Sequence, residues 1–481
     1  MTIESELRKF LPPERCLSSN EAMRPYECDG LSAYQQTPLI VVIPATVDEV
    51  VKIVNICAEQ STPLVTRGSG TGLSGGALPL ANGCLMSLAK MNKILSIDTE
   101  NLTATLEPGV RNAAISDAVS EYGLYYAPDP SSQIACSIGG NVAENSGGLH
   151  CLKYGLTVHN VLEIKVVTID GELLTIGSRA PDTSGLDLLA LMHGSEGLLG
   201  VVVEVTVKLL PKPEQARVLL ASFDSVDDAS SAVESIISSG VVPAGLEMMD
   251  ELSVEVAEDY CKAGYPLGCA AILLCELDGV EAEVTAEIDR VSRLMNSAGA
   301  TQLRVSETEA ERLLFWKGRK SAFPALGRIA PDYYCMDGTI PRRYLGFVLN
   351  RIHELSLTYG LRVANVFHAG DGNLHPLIAY DANVDTQLER AERLGTEILA
   401  LCVEVGGTIT GEHGVGVEKL DAMCIQFSDK EISQMQAIKK AFDPESLLNP
   451  GKAIPSLHRC AELGGMHVHN GQLPHPEIER F

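Results

Sequence analysis

Residues 63–80 read PLVTRGSGTGLSGGALPL, with five glycines within the nine residues from Gly68 to Gly76. Three of its glycines have the G-x-G-x-x-G spacing of a dinucleotide-binding turn, a spacing that is weakly specific when taken alone. A Rossmann turn follows a strand and opens a helix. An apolar run fits a strand before the loop, but Pro79 and a second strand-like run, 84–88, follow where that helix would begin. The sequence therefore argues against a Rossmann turn.

Without a helix, the loop has to hold phosphate groups through its own backbone. Successive N–H groups in a turn can form a concave anion-binding nest. Glycine suits such a nest because it adopts positive φ and places no Cβ between the backbone and the ligand. The alternative is a flexible surface loop, which ordinarily contains Asp or Asn as well as glycine. The sequence favours a phosphate-binding loop.

The composition is that of a globular protein with more than one domain. The chain has 481 residues, 45% hydrophobic residues and a net charge of −26. Such a length predicts two or three domains, and the acidic balance argues against nucleic acid as a partner. The first residues, MTIESELRKFLPPERC, lack the apolar core of a signal peptide. No run approaches the roughly 18 apolar residues of a membrane span, so we expect a cytoplasmic protein.

The cysteine pattern excludes two kinds of metal centre. The chain has 13 cysteines and no C-x-x-C. An odd number without a pairing pattern indicates buried thiols in a reducing compartment. The missing spacing argues against an iron–sulfur cluster and against a structural zinc site.

Hydrophobic periodicity predicts an α+β fold in two domains. In the first half, strand-like runs surround a helix that should begin after Thr46 and another that should end at Gly123. In the second half, strands and helices alternate in a way that suggests an antiparallel sheet covered by helices on one face. The predicted units are an N-terminal extension 1–36, a nucleotide-binding domain 37–214, a second domain 215–428, a C-terminal helical segment 429–456 and a tail 457–481.

Two further segments of the first half have glycines that expose the backbone. Residues 128–148, PDPSSQIACSIGGNVAENSGG, combine glycines with amide side chains that can contact a polar ring. The alternative is an irregular loop between sheets, although long polar loops in compact domains are usually functional. Residues 193–205, HGSEGLLGVVVEV, form a turn that leads into a buried strand.

Reactive side chains concentrate in the second half. His368 and His375 flank a Gly-Asp-Gly turn, so both imidazoles can face one cavity, and Glu412 and His413 stand between glycines. Two histidines and a carboxylate are a candidate divalent-metal set, and the last histidine remains free as an acid or base. Arg319 lies among apolar residues and can bind a carboxylate with two parallel hydrogen bonds. The alternative for Arg319 is a solvated basic patch with its neighbouring lysines.

These segments together resemble the vanillyl-alcohol-oxidase-type flavoproteins. RGSGTGLSGG (67–76), the 128–148 segment and HGSEGLLGVVVEVTVKLLPKP (193–213) are similar to their FAD-binding domain. HAGDGNLHP (368–376) and GEHGVG (411–416) are similar to the cap domain of the D-2-hydroxy-acid dehydrogenase branch. PYECDGLSAY, GLEMMD, PDYYCMDGTIPRR and the tail are similar to the FAD-linked subunits of bacterial glycolate oxidases. The resemblance implies an FAD-binding domain followed by an antiparallel-sheet cap domain.

The resemblance also implies the residues that contact FAD. A covalently linking histidine found in some relatives is replaced by Thr71, so we expect noncovalent FAD. The implied cofactor-binding residues, taken from the glycine loop, the two later segments and the C-terminal return, are Arg67, Gly68, Ser69, Gly70, Thr71, Gly72, Ser74, Gly75, Pro128, Asp129, Ser137, Gly139, Gly140, Asn141, Asn145, Gly148, Tyr154, Glu196, Gly200, Val201 and Asn449.

The implied chemistry is FAD-dependent oxidation of glycolate, or of a short D-2-hydroxy acid such as D-lactate, to the 2-oxo acid. In this interpretation His413 is the base and Arg319 binds the substrate carboxylate, with Asn373 beside them. His368, His375 and Glu412 would bind a divalent Zn, Mn or Fe ion. One methyl group separates glycolate from D-lactate, and an apolar pocket discriminates by only about 1–3 kcal/mol per methylene-sized difference. The sequence leaves that choice open.

The resemblance implies partner proteins as well. This chain offers no second redox centre, so electrons would pass to a second flavoprotein subunit and an iron–sulfur subunit, and through them to the respiratory chain. Contact with the inner membrane would be peripheral, through those subunits. The tail 457–481, with His467, His469 and His475, is predicted to dock on the body of the protein or on such a partner, and a metal site is the alternative. Alternative interpretations are a D-lactate dehydrogenase acting alone, a non-catalytic FAD-binding assembly subunit and an NAD-linked Rossmann dehydrogenase.

Overall fold

A computed structural model describes residues 2–180 and 185–456. The tail 457–481, predicted to be a docking element, lies outside the described residues. Within the described ranges, no helix has both the length and the apolar character that crossing a membrane requires.

The first half is built on small sheets. Its described strands are β1 (Cys16–Leu17), β2 (Ile40–Val42), β3 (Leu64–Arg67), β4 (Cys84–Ser87), β5 (Ile94–Asp98), β6 (Thr103–Leu106), β7 (Leu124–Tyr125), β8 (Val161–Val167), β9 (Leu173–Gly177), β10 (Val201–Lys208) and β11 (Leu210–Pro211). One sheet has the order β1-β2-β4-β3, with β2, β4 and β3 parallel. A second, antiparallel sheet has the order β5-β6-β10-β8-β9, and β7 pairs with β11.

Two helix boundaries of this half lie where the sequence predicts them. Thr46 is the N-cap of α3, and its side chain accepts a hydrogen bond from the N–H of Glu49. The turn after α4 ends at Gly123 in the left-handed conformation. The described helices are α1 (Ile3–Leu7), α2 (Asn20–Met23), α3 (Val47–Glu59), α4 (Asn112–Val119), α5 (Ile138–Glu144), α6 (Cys151–Tyr154), α7 (Thr157–Asn160) and α8 (Leu188–Met192).

The glycine loop connects β3 to β4 without a helix. This confirms the prediction that excluded a Rossmann turn, since no helix N-terminus follows the glycines. Gly70 and Gly75 have φ of +71° and +77°, a conformation that favours glycine.

The second half contains one large antiparallel sheet. Its order is β15-β12-β14-β13-β17-β18-β16. The strands are β12 (Gln215–Phe223), β13 (Gly245–Asp250), β14 (Ala271–Gly279), β15 (Gln302–Val305), β16 (Asp332–Cys335), β17 (Arg362–His368) and β18 (Pro376–Tyr380). The helices are α9 (Val226–Ser238), α10 (Glu251–Cys261), α11 (Glu281–Ser297), α12 (Glu309–Leu326), α13 (Leu345–Tyr359), α14 (Gln387–Glu404), α15 (Leu420–Gln426) and α16 (Asp429–Phe442).

The prediction that helices cover one face of this sheet is wrong, because both faces are covered. Leu219 and Phe223 of β12 lie in a core shared with α9, α11, α13 and α14. Val218 and Leu220 of the same strand lie in a second core, with Trp316 of α12 and residues of α10. Neighbouring residues of a strand point to opposite faces. The continuous apolar run of β12 therefore indicates burial on both sides, a signal the sequence analysis did not use.

After α16 the chain returns to the first sheet. The N–H of Leu64 donates to Leu447 O (2.7 Å), and the N–H of Asn449 donates to Leu64 O (2.8 Å). The predicted division at residues 37, 214, 428 and 456 stays a proposal, and the separate sheets of residues 16–211 and 215–380 support it.

Candidate functional site

A cavity of about 380 Å³ lies where the two halves of the chain meet. On one side it is lined by the glycine loop and by residues of the 128–148 segment. On the other it is lined by α12 and by the histidine cluster of the second half. The structure thus brings together the glycine-rich segments and the reactive side chains that the sequence places far apart.

The glycine loop has the properties of a phosphate-binding cradle. None of the N–H groups from Ser69 to Gly72 donates a hydrogen bond to another described residue. A Cβ on Gly72 would find its nearest atom, Asp29 Oδ2, only at 3.8 Å, so the backbone is open for close approach. Unpaired donors on an open backbone fit the pyrophosphate of a dinucleotide.

Several buried polar atoms in the cavity wall have no protein partner among the described residues. They include Ser137 Oγ, Glu144 Oε2 and Asp29 Oδ2. Buried polar atoms are ordinarily satisfied, so these atoms mark the wall as a binding surface. Burial, followed by the charge of Glu196, raises the pKa of Glu144 well above its ordinary value. A neutral Glu144 carboxyl can donate a hydrogen bond as well as accept one.

The histidine cluster is created by a tight reversal between β17 and β18. The N–H of His368 donates to Asn373 O, and the N–H of Gly372 donates to His368 O. The ring centroids of His368 and His375 are 5.2 Å apart. The two imidazoles therefore lie close together, as the Gly-Asp-Gly turn predicts. Glu412 Oε1 lies 3.0 Å from His375 Nε2 and 3.4 Å from His368 Nε2. This geometry is compatible with a shared cation.

The two histidines of this cluster stabilise the charged form of Glu412. Burial alone would raise the pKa of Glu412, but hydrogen bonds from His368 and His375 hold that pKa well below its ordinary value. One ligand atom from each of the three residues lies within 4.8 Å of the others. A carboxylate and two imidazoles at this spacing match the ligands that divalent transition metals prefer.

His413 has the environment of a proton acceptor. Its ring lies 4.9 Å from the His375 ring, and its Nδ1 is buried without a protein partner among the described residues. Burial lowers the pKa of His413 to about 4, although the charge of Asp337 opposes the shift. The imidazole is therefore neutral near neutral pH and can accept a proton.

Asp337 holds the segment that carries Glu412 and His413. Its carboxylate accepts hydrogen bonds from the N–H groups of Gly411 (3.1 Å), Glu412 (3.2 Å) and His413 (2.9 Å). It also accepts from the amide of Asn373 at 2.9 Å. Burial opposes ionisation, but the nearby His413 and Lys419 lower the pKa of Asp337. Asp337 is thus an anionic anchor for the reactive loop.

The environment of Arg319 corrects two expectations. The side chain is 1% exposed, which excludes the solvated basic patch. The expected pair of parallel hydrogen bonds to a substrate carboxylate is not available either, because two guanidinium nitrogens already bind Glu247. Its Nε and Nη2 lie 2.9 and 2.8 Å from Glu247 Oε2. Nη1 has no acceptor among the described residues and is the guanidinium nitrogen left for a ligand.

Many of the sequence-predicted residues line the cavity, and others lie outside its lining. Those that line it are Gly68, Ser69, Gly70, Thr71, Gly72, Ser137, Gly139, Gly140, Asn141, Glu196, Gly200, Arg319, His368, His375, Glu412 and His413. Those that do not are Arg67, Ser74, Gly75, Pro128, Asp129, Asn145, Gly148, Tyr154, Val201, Asn373 and Asn449.

The residues outside the cavity have identifiable supporting contacts. The Arg67 guanidinium donates to Cys28 O at 2.5 Å. Tyr154 donates to Asp278 of the large sheet at 2.6 Å. Asn449 donates to Gly76 O and to Glu196 O, and so ties the C-terminal return to the glycine loop.

Sequence reasoning missed several charged groups at the site. Asp29, Glu144 and Lys320 line the cavity, while Glu247 and Asp337 lie behind its reactive side chains. A signal existed for Glu247, which is a charged residue inside the apolar strand GLEMMD. Charged residues are almost never fully buried unless they are paired.

Two family models cover most of the chain. Residues 38–177 match the FAD binding domain model, and residues 212–453 match the C-terminal domain model of FAD linked oxidases. The chain belongs to the FAD-linked oxidase family. It is therefore an FAD-dependent oxidoreductase, as the resemblance implied. The open glycine loop and the unpaired polar atoms of the cavity fit that cofactor.

Relatives and solved structures agree with the family assignment. The glycolate oxidase subunit GlcD of Escherichia coli K12 is 62% identical, over 99% of this chain and 95% of the relative. A D-lactate dehydrogenase of Anaerostipes hadrus is 32% identical, over 92% of this chain and 95% of the relative. Substrate-bound p-cresol methylhydroxylase is 18% identical, covers 95% of this chain and 97% of its own, and has a TM-score of 0.79. The predicted two-domain, vanillyl-alcohol-oxidase-type α+β fold is confirmed.

Proposed function

We propose that this chain oxidises glycolate, or a short D-2-hydroxy acid such as D-lactate, to the 2-oxo acid. The observation that carries the proposal is His413, whose buried Nδ1 has no protein partner among the described residues and which lines the same cavity as Arg319 and the glycine loop. The names of the two relatives described above support this substrate class. The test is anaerobic addition of a panel of 2-hydroxy acids to the purified holoprotein, with glycolate or D-lactate expected to bleach the flavin.

In this proposal, different residues bind the substrate, remove its proton and hold the cofactor. Nη1 of Arg319 binds the substrate carboxylate and fixes the orientation of the acid. His413 removes the hydroxyl proton as general base. Bound FAD supplies the acceptor for the α-hydrogen, since the redox chemistry belongs to the cofactor. The glycine loop and the 137–141 segment hold that cofactor through the lining residues described above.

We expect a divalent ion, Zn, Mn or Fe, at His368, His375 and Glu412. A cation there would polarise the substrate hydroxyl and lower its pKa. Elemental analysis of tag-free protein should find stoichiometric metal, and a strong chelator should lower kcat until metal is added back. A metal-free preparation with full activity would instead mean that these residues position substrate by hydrogen bonds alone.

We expect FAD to be bound noncovalently, because Thr71 offers no nucleophilic ring for a flavin link. Acid precipitation should leave the yellow flavin in the supernatant, where its absorbance measures the stoichiometry. Flavin that remains in the precipitated chain would contradict the prediction.

We propose that the chain is one subunit of a larger complex. A second flavoprotein and an iron–sulfur protein would receive its electrons and provide any peripheral contact with the membrane. The word "subunit" in the name of the 62% identical relative supports an assembly. Co-expression with such partners should restore hydroxy-acid-dependent quinone reduction, which the isolated chain should lack. Full quinone reduction by the isolated chain would favour the alternative, a dehydrogenase acting alone.

A further inference from the structure

The carboxylate of Glu247 lies between His368 and Arg319, two polar side chains that line the cavity. Glu247 Oε1 is 2.7 Å from His368 Nδ1, and Glu247 Oε2 is 2.9 Å from Arg319 Nε. All three side chains are buried, with Glu247 only 1% exposed. We propose that Glu247 is a positioning residue that fixes the orientations of Arg319 and His368 together. The inference rests on the proposed function, because it assigns those two groups to substrate handling.

The arrangement follows from strand register and helix packing. Strands β13 and β17 are antiparallel neighbours, and the register places Glu247 directly opposite His368. Side chains of such cross-strand pairs lie close on one face of a sheet. Met249, two residues after Glu247 and therefore on the same face of the strand, lies in the core that α12 helps to form. Glu247 therefore points to the face on which α12 presents Arg319.

The two oxygens of Glu247 serve different partners. A carboxylate accepts hydrogen bonds only, so His368 must carry a proton on Nδ1. Its Nε2 is then directed at Glu412, 3.4 Å away. An amide at position 247 has a single acceptor oxygen. It can satisfy either Arg319 or His368, and its NH₂ group would face the N–H of the other. A buried donor left without an acceptor is costly, so one of the two side chains must move.

The test is Glu247→Gln, with Glu276→Gln as a matched control. Glu276 is a buried carboxylate of β14 in the same sheet, and it pairs with Arg312 of the same helix α12 at 2.7 Å. It does not line the cavity. Steady-state kcat and KM for the best hydroxy acid are measured for both variants. The dissociation constant of oxalate, a non-oxidised carboxylate probe, is measured from the spectrum of the bound flavin.

We expect Glu247→Gln to keep FAD, to weaken oxalate binding and to lower kcat/KM by about 10²-fold, since small misplacements of reacting groups have effects of that size. Glu276→Gln should lose thermal stability while keeping kcat, KM and the oxalate dissociation constant near their wild-type values. If Glu247→Gln does not fold, Glu247→Asp retains the charge but is too short for both contacts, and it should show the same losses. Wild-type oxalate binding and kinetics in either folded variant would overturn the proposal. A wild-type protein inert toward every hydroxy acid would overturn the proposed function instead.

Discussion

Replacing His413 by alanine is expected to leave FAD bound and to lower kcat by about 10²–10⁴-fold, the range that general-base catalysis contributes. The physical reason is the neutral state of this ring. Burial lowers the pKa of His413 to about 4, so the imidazole is unprotonated across the neutral range and has a ring nitrogen open toward a hydroxyl proton. His368 and His375 lie 3.4 and 3.0 Å from Glu412 Oε1, whereas His413 Nε2 lies 3.9 Å from that oxygen and its Nδ1 has no partner among the described residues. Rapid-mixing measurement of flavin reduction isolates this step from reoxidation.

The matched control for this variant is His353→Ala. His353 is an exposed histidine on α13, remote from the cavity lining, and its loss should leave kcat unchanged. Flavin content and far-ultraviolet circular dichroism establish that both variants fold. A folded, FAD-loaded His413→Ala protein with wild-type turnover would remove His413 from the reaction.

Arg319→Lys is expected to raise KM, lower kcat and reduce kcat/KM by about 10²-fold, the scale of a misplaced binding group. Arginine satisfies two demands at once, since Nε and Nη2 engage Glu247 while Nη1 is left for the ligand. A lysine ammonium is a point charge on a flexible stem and cannot reproduce that planar fork. It should pair with Glu247 and leave the substrate carboxylate unbound.

Arg312→Lys provides the comparison. Arg312 lies seven positions earlier on α12 and pairs with Glu276 outside the cavity, so the same change tests helix and sheet packing without touching the site. Its KM should remain at the wild-type value. Unchanged kinetics in Arg319→Lys would place Arg319 outside the substrate site.

Local sequence signals were sufficient for much of the fold. The N-cap at Thr46, the left-handed Gly123 after the turn that follows α4, and α16 each depend on residues close in sequence. The same is true of the His368–His375 reversal, where a short turn determines which side chains meet. Capping and turn chemistry act over a few residues, so a single sequence reveals them.

Long-range pairing was not predictable from the sequence. Glu247 meets His368 only because β13 pairs with β17 in one register. Asp337 supports residues 410–413 through hydrogen bonds across more than seventy positions of the chain. Neither contact leaves a periodic trace in the sequence. The fork of Arg319 was misjudged for the same reason, since its partner lies on a distant strand.

In the proposed reaction the α-hydrogen of a 2-hydroxy acid passes to FAD in this cavity. Anaerobic rapid mixing of the holoprotein with glycolate or D-lactate tests it most directly, with unlabelled and α-deuterated acid compared. We expect the visible flavin absorbance to disappear and deuteration to slow its loss. A flavin that stays oxidised with every acid of the panel, in a protein fully loaded with FAD, would contradict it.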